Sequence, residues 1–132
     1  MIALDTNILV RLIVNDDPAQ GKKAAKLIDS ADAFFVPLTV ALELEWVLRG
    51  HYQQPPAAVA LALRAVLEIS NLHFECEPEV LRALRHYENG FDFADALHHA
   101  KAESCKTMLT FDKKFSNKAQ TGKLHPPVKL LK

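Results

Sequence analysis

The chain has 132 residues, in which 16 Lys and Arg balance 16 Asp and Glu, 49% are hydrophobic and only 4 are Gly; this fits one domain over residues 1–132 and argues against a second domain or a generic polyanion binder. A chain of this size hides roughly two-thirds of the surface it exposes when unfolded, so a core forms without staples, and Cys76 and Cys105 are expected to be buried thiols. No apolar run approaches the ~20 residues of a membrane span and no basic-plus-apolar leader precedes Asp5, so the expectation is a soluble, cytoplasmic protein with no membrane contact.

In chain order, Met1-Ile2-Ala3-Leu4 reads as a short buried strand that stops at Asp5-Thr6-Asn7. Behind that polar cap, Ile8, Leu9, Leu12 and Ile13 recur at helical spacing. Asn15-Asp16-Asp17 closes this first helix, and Pro18 opens a second that is predicted to reach about Ala31. Ala33 to Val36 is a second buried strand ended by Pro37. A third helix carrying Val40, Leu44, Val47 and Leu48 runs to about Arg49, where Gly50 stops it. Pro55-Pro56 opens a fourth helix ending near Ser70-Asn71, His73 to Glu75 is a strand candidate, and Pro78 begins a fifth helix that Asn89-Gly90 breaks. Asp92 to Ser104 reads as a sixth helix and Thr107 to Phe111 as a strand that stops at Asp112. A polar loop, loosely structured from Ser116 to Pro127, then leads to an edge strand at Val128 to Leu131. Strands alternating with helices of ten or more residues predict an α/β fold with a mostly parallel sheet covered on both faces.

Ligands bind outside the carboxyl ends of parallel strands, and both Asp5 and Asp112 stand where an apolar strand ends. Each also has a local reading, Asp5 as a helix cap and Asp112 as a turn residue. Two further acids sharpen the pattern. Glu43 has Val40, Trp46 and Val47 on its side of the third helix and no cation in helical reach, whereas Glu45 has Arg49 four residues on, the arrangement of an exposed pair. A carboxylate among apolar neighbours is costly to ionise and is tolerated chiefly where it meets a metal or donors. Asp92 and Asp95 are spaced like a cap and its partner at the start of the sixth helix; the cap explains Asp92, but Asp95 adds a like charge. His98 and His99 follow, without the spacing of a zinc site. Asp5, Glu43, Asp95 and Asp112 therefore form an oxygen-only set suited to Mg²⁺ or Mn²⁺, and such ions serve phosphoryl chemistry. Charge asymmetry points the same way: residues 101–132 carry eight Lys against Glu103 and Asp112, a net +6, leaving residues 1–100 at −6.

Asp5-Thr6-Asn7, Glu43-Leu44-Glu45-Trp46-Val47-Leu48, Phe93-Ala94-Asp95-Ala96-Leu97 and Leu109-Thr110-Phe111-Asp112 resemble, in order and spacing, the four acidic blocks of PIN-domain proteins. Among these the chain looks most like the VapC-type toxins of bacterial toxin–antitoxin pairs, and the resemblance covers nearly its whole length. It implies a three-layer α/β/α Rossmann-like fold, a Mg²⁺-dependent endoribonuclease, a homodimer and a cognate antitoxin. Under that reading Asp5 and Asp95 hold the metal directly, Glu43 and Asp112 hold it directly or through water, and Asp92 and Glu45 stand close enough to share those roles. Thr6 and Asn7, at a helix N-terminus, orient Asp5 or meet phosphate, and Thr110 steadies Asp112. Lys113 and Lys114 are candidates for RNA phosphate contacts, or are plain solvated lysines. An antitoxin helix would find apolar surface around Trp46 and along Ala57 to Leu63.

Two rival readings differ in kind. A haloacid-dehalogenase-like phosphatase also begins from an aspartate ending the first strand, but it needs a second Asp two residues later, where this chain has Asn7. A catalytically silent PIN-like module binding RNA or protein would not need a complete acidic set.

Overall fold

A computed structural model describes residues 1–132. Strands and helices alternate as β1 (Ile2–Ala3), α1 (Thr6–Ile13), α2 (Pro18–Ile28), β2 (Phe34–Val36), α3 (Leu38–Trp46), α4 (Pro56–Leu67), β3 (Leu72–Phe74), α5 (Glu77–Glu88), α6 (Phe93–Lys101), β4 (Met108–Thr110), α7 (Lys113–Thr121) and β5 (Val128–Leu130). All strand pairings are parallel, Ile2 opposite Phe34, Phe34 opposite Leu72 and Met108 opposite Val128, and each pair is joined through helix, the crossover that parallel pairing requires. The α/β class is the one the alternation predicts. The hydrogen bonds fall into two ladders, β1-β2-β3 and β4-β5, rather than one continuous sheet.

One buried cluster spans both ladders and runs from Leu4 to Val128, with Leu9, Phe34, Leu44, Leu84 and Phe93 among its fully enclosed side chains. It leaves out β1, whose Ile2 and Ala3 are exposed. The expected buried first strand is thus corrected: only β2 lies along β1, and burial begins at Leu4, whose amide donates to the Phe35 carbonyl at 2.9 Å. At the other end of the chain, α7 occupies much of the segment expected to be loose. Its apolar stripe is only Phe115 and Ala119, with Ser116 buried beside them, too sparse a period to read from sequence.

Several boundaries move for local reasons. The second helix ends at Ile28, with Ala31 turned into the left-handed region at φ 69°, and the sixth ends at Lys101 rather than Ser104. Gly50 does not stop the third helix. The chain continues from Trp46 into a π-helical turn, Val47–His51, with Gly50 inside it and the Trp46 ring 3.7 Å from where a Gly50 Cβ would lie. Neither cysteine matches the expected buried thiol: Cys76 is half-buried, Cys105 is exposed, and both are free. No helix is long and apolar enough to cross a membrane.

Candidate active site

Three of the acids singled out from the sequence begin helices. Asp5 caps α1 by accepting from the Thr6 amide at 2.8 Å, Asp92 caps α6 by accepting from the Asp95 amide at 3.0 Å, and Asp112 caps α7 by accepting from the Phe115 amide at 3.0 Å. The capping and functional readings are therefore compatible: each carboxylate spends one oxygen on the helix, and the positive end of the helix dipole favours its charge. Asp5 and Asp112 each follow a strand, so the strand-to-helix turn sets their direction.

Thr6 is buried, and its hydroxyl donates a short hydrogen bond to Glu43 Oε1. This bond ties α1 to α3 and brings Glu43 to the residue that follows Asp5. The sequence reading of Glu43 and Glu45 needs correction here. Glu43 is exposed and has Thr6 as a partner. Glu45 is the enclosed one, 2% exposed, paired with Arg49 Nε at 2.7 Å and accepting from the Tyr87 hydroxyl at 3.0 Å. The α3 face that meets the core carries Val40, Ala41, Leu44 and Glu45, continued by Leu48. Because most of that helix is apolar, its sequence does not show which side turns inward. Tyr87 answers the burial of Glu45: its own burial and the neighbouring carboxylate hold the phenol protonated far above its ordinary value.

Asp92, Asp95 and Asp112 come together around a cavity of about 80 Å³, with Lys114 and Lys118 on its α7 side and Gly90 and Phe91 behind. Burial raises the Asp95 carboxyl above its ordinary pKa. Asp92 and Asp112 raise it further by repulsion, against a smaller opposing pull from His98. The charged form of Asp95 is thus opposed both by its partly dry surroundings and by two like neighbours. Thr110 steadies Asp112 through the main chain: its hydroxyl accepts from the Asp112 amide at 3.0 Å. Lys118 donates a hydrogen bond to the Gly90 carbonyl, where a φ of 97° suits glycine. Lys114 lines the cavity; Lys113 is exposed and does not. Asn7 is exposed at the start of α1.

The predicted set is thus gathered in two groups, Asp5 with Thr6 and Glu43, and Asp92 with Asp95 and Asp112. No three Asp, Glu, His or Cys side chains converge closely enough to hold a metal ion as they stand. The donor chemistry still fits a hard divalent cation, since the acidic side chains lining the cavity, Asp92, Asp95 and Asp112, offer only carboxylate oxygens. The imidazoles do not supply an alternative nitrogen set. His99 is buried with Nε2 2.8 Å from the Pro126 carbonyl, and His98 is exposed on α6. Sequence reasoning missed Tyr87, Gly90 and Lys118. Only the last left a signal, four residues after Lys114, legible once α7 is recognised as a helix.

A PIN domain family model matches residues 2–120, and the chain belongs to that family. PIN domains are generally nucleases, and those nucleases typically use divalent metals. No curated protein matches the chain.

Proposed function

We propose that residues 1–132 form one PIN domain acting as a Mg²⁺- or Mn²⁺-dependent endoribonuclease, with Asp5, Glu43, Asp95 and Asp112 as its catalytic and metal-holding residues. The observation that carries this reading is the convergence of Asp92, Asp95 and Asp112 on one cavity whose other wall offers Lys114 to a phosphate. Asp5 and Asp95 would hold the ion directly. Glu43, oriented by Thr6, and Asp112, steadied through Thr110, would hold it directly or through water. When bound, the metal supplies Lewis acidity toward the phosphodiester. The protein's own work is to fix the carboxylates, keep Asp95 in a partly desolvated place and present lysine to the substrate's charge. Asp92 supports Asp95 by capping its helix, Asn7 offers an amide beside Asp5, and Lys113 and Lys114 take RNA phosphates.

The finer reading is that of a VapC-type toxin, cytoplasmic and homodimeric, restrained by a cognate antitoxin. It is supported by the resemblance of the four acidic blocks and by exposed apolar side chains. Trp46 is 60% and Leu61 71% exposed, and Leu61 lines a cleft with Pro56, Ala57 and Ala60 that suits an amphipathic helix. Expression with and without the neighbouring gene, followed by pull-down, tests it; a chain that is harmless alone and binds no neighbour removes the toxin and leaves the nuclease. The rival reading of a catalytically silent binding module is favoured by one observation, that no three acids converge. An RNase assay with an EDTA control decides between the two.

A further inference from the structure

From the geometry of α7 we infer a track for single-stranded RNA that leads away from the acidic cavity, with a subsite for one flanking nucleotide between α7 and the α5–α6 corner. This inference rests on the nuclease reading and names how the same site would hold its substrate. Lys114, Asn117, Lys118 and Thr121 lie at positions i, i+3, i+4 and i+7 of α7, which places them in one stripe along the helix. Lys114 and Lys118 line the acidic cavity. Asn117, Lys118 and Thr121 line a second, open groove of about 500 Å³ whose opposite wall is His86 and Asn89. Phe91 and Lys118 belong to both, so the two spaces adjoin.

The chemistry along this path changes in the order a nucleic acid strand needs. Carboxylates stand at one end, lysines follow at the spacing of successive turns, and beyond them come neutral donors and acceptors. The Asn89, Asn117 and Thr121 side chains are exposed and make no hydrogen bond within the chain, which leaves their amide and hydroxyl groups to a ligand. An amide offers both a donor and an acceptor, as a base edge requires. His86 faces the same groove. Its pKa is lowered by burial and then by His99, Arg85 and Arg82, so at neutral pH it presents a neutral ring that both donates and accepts. The positive residues 101–132 supply the long-range attraction, and the uncharged Asn89, Asn117 and Thr121 side chains of the groove supply contacts that salt does not screen.

The test is binding of a fluorescein-labelled single-stranded RNA 12-mer, followed by anisotropy in EDTA so that cleavage plays no part, together with cleavage of the same RNA in Mg²⁺. For the double variant Asn89→Ala/Asn117→Ala, which changes no charge, the expected results are an affinity about tenfold weaker, as the loss of one or two hydrogen bonds gives, an unchanged salt slope, and a raised KM with kcat retained. Lys118→Gln should instead flatten the salt slope by about one phosphate contact. Lys22→Gln/Lys23→Gln, on α2, should leave both measurements as in the wild type. Wild-type affinity in the Asn double variant, with cleavage intact in both proteins, overturns the track and leaves the nuclease reading standing. A wild-type chain that neither binds nor cuts RNA overturns both.

Discussion

Asp95 concentrates the electrostatics of the proposed site, because burial and two neighbouring aspartates both oppose its charge. A raised folded pKa means that the folded state holds its proton longer than the unfolded chain does. Its contribution is therefore favourable below the ordinary value of 3.8 and is lost as pH rises through the folded pKa. Asp95→Asn should accordingly melt higher than the wild type at neutral pH without metal, and lose that advantage below about pH 4 in a pH series of thermal melts. Glu45 and Glu43 separate in the opposite sense. Glu45→Ala strips the buried Tyr87 hydroxyl and the Arg49 guanidinium of their shared acceptor and should cost about 2 kcal/mol in urea unfolding. Glu43→Gln, on an exposed side chain, should stay within about 0.5 kcal/mol of wild type while cleavage falls. At this scale the sequence disclosed which residue types mattered but not which of two neighbouring glutamates turned inward. The i,i+4 spacing of Glu45 and Arg49 is the same for an exposed pair and for one closed over by a tyrosine 42 residues further on.

At the scale of elements, α7 is where sequence and structure diverge most. Its nine residues carry one large apolar side chain, Phe115, which is 6% exposed and stacks edge-on with Phe91 at 6.4 Å. Tertiary packing and the Asp112 cap hold a helix that composition does not announce. Phe115→Ala should therefore cost about 3–5 kcal/mol, as other buried Phe truncations do. Asp112 separates its two duties by substitution. Asp112→Asn keeps a capping oxygen and removes a like charge, so the metal-free fold should be no less stable. Asp112→Ala forfeits the cap at about 1 kcal/mol. Both should lose cleavage, and urea melts beside an RNase assay read the two effects separately. The better predicted elements were those with strong punctuation. Pro18, Pro56 and Pro78 each stand in the first turn of a helix, and Asp5 and Asp92 are caps, as their spacing indicated.

For the molecule as a whole, the proposed acids come from both ladders, Asp5 after β1 and Asp112 after β4, with Glu43 and Asp95 on helices between them. A cation shared by these groups would link parts of the fold that have no strand-to-strand hydrogen bonds between them. At about 100 times its dissociation constant, Mg²⁺ should add roughly 2.7 kcal/mol of stability, a rise of roughly 10 °C in Tm for a chain of this size. Asp5→Asn should abolish most of that rise, and a melting curve indifferent to tens of millimolar Mg²⁺ or Mn²⁺ would speak against a metal site. The α/β class, parallel pairing and order of the acidic blocks were legible because periodicity and strand-end aspartates are local features. The split of the strands into two ladders was not, since it depends on how far apart β1 and β4 settle.

Cleavage of RNA through the acidic set is the activity proposed for this PIN domain. Its most direct test is end-labelled single-stranded RNA incubated with purified wild-type and Asp95→Asn protein, in Mg²⁺ and in EDTA, with circular dichroism on both proteins. Cleavage by the wild type in Mg²⁺ alone, and none by a fully folded Asp95→Asn, is the predicted result. Cleavage that survives EDTA, or that Asp95→Asn performs at the wild-type rate, would contradict it.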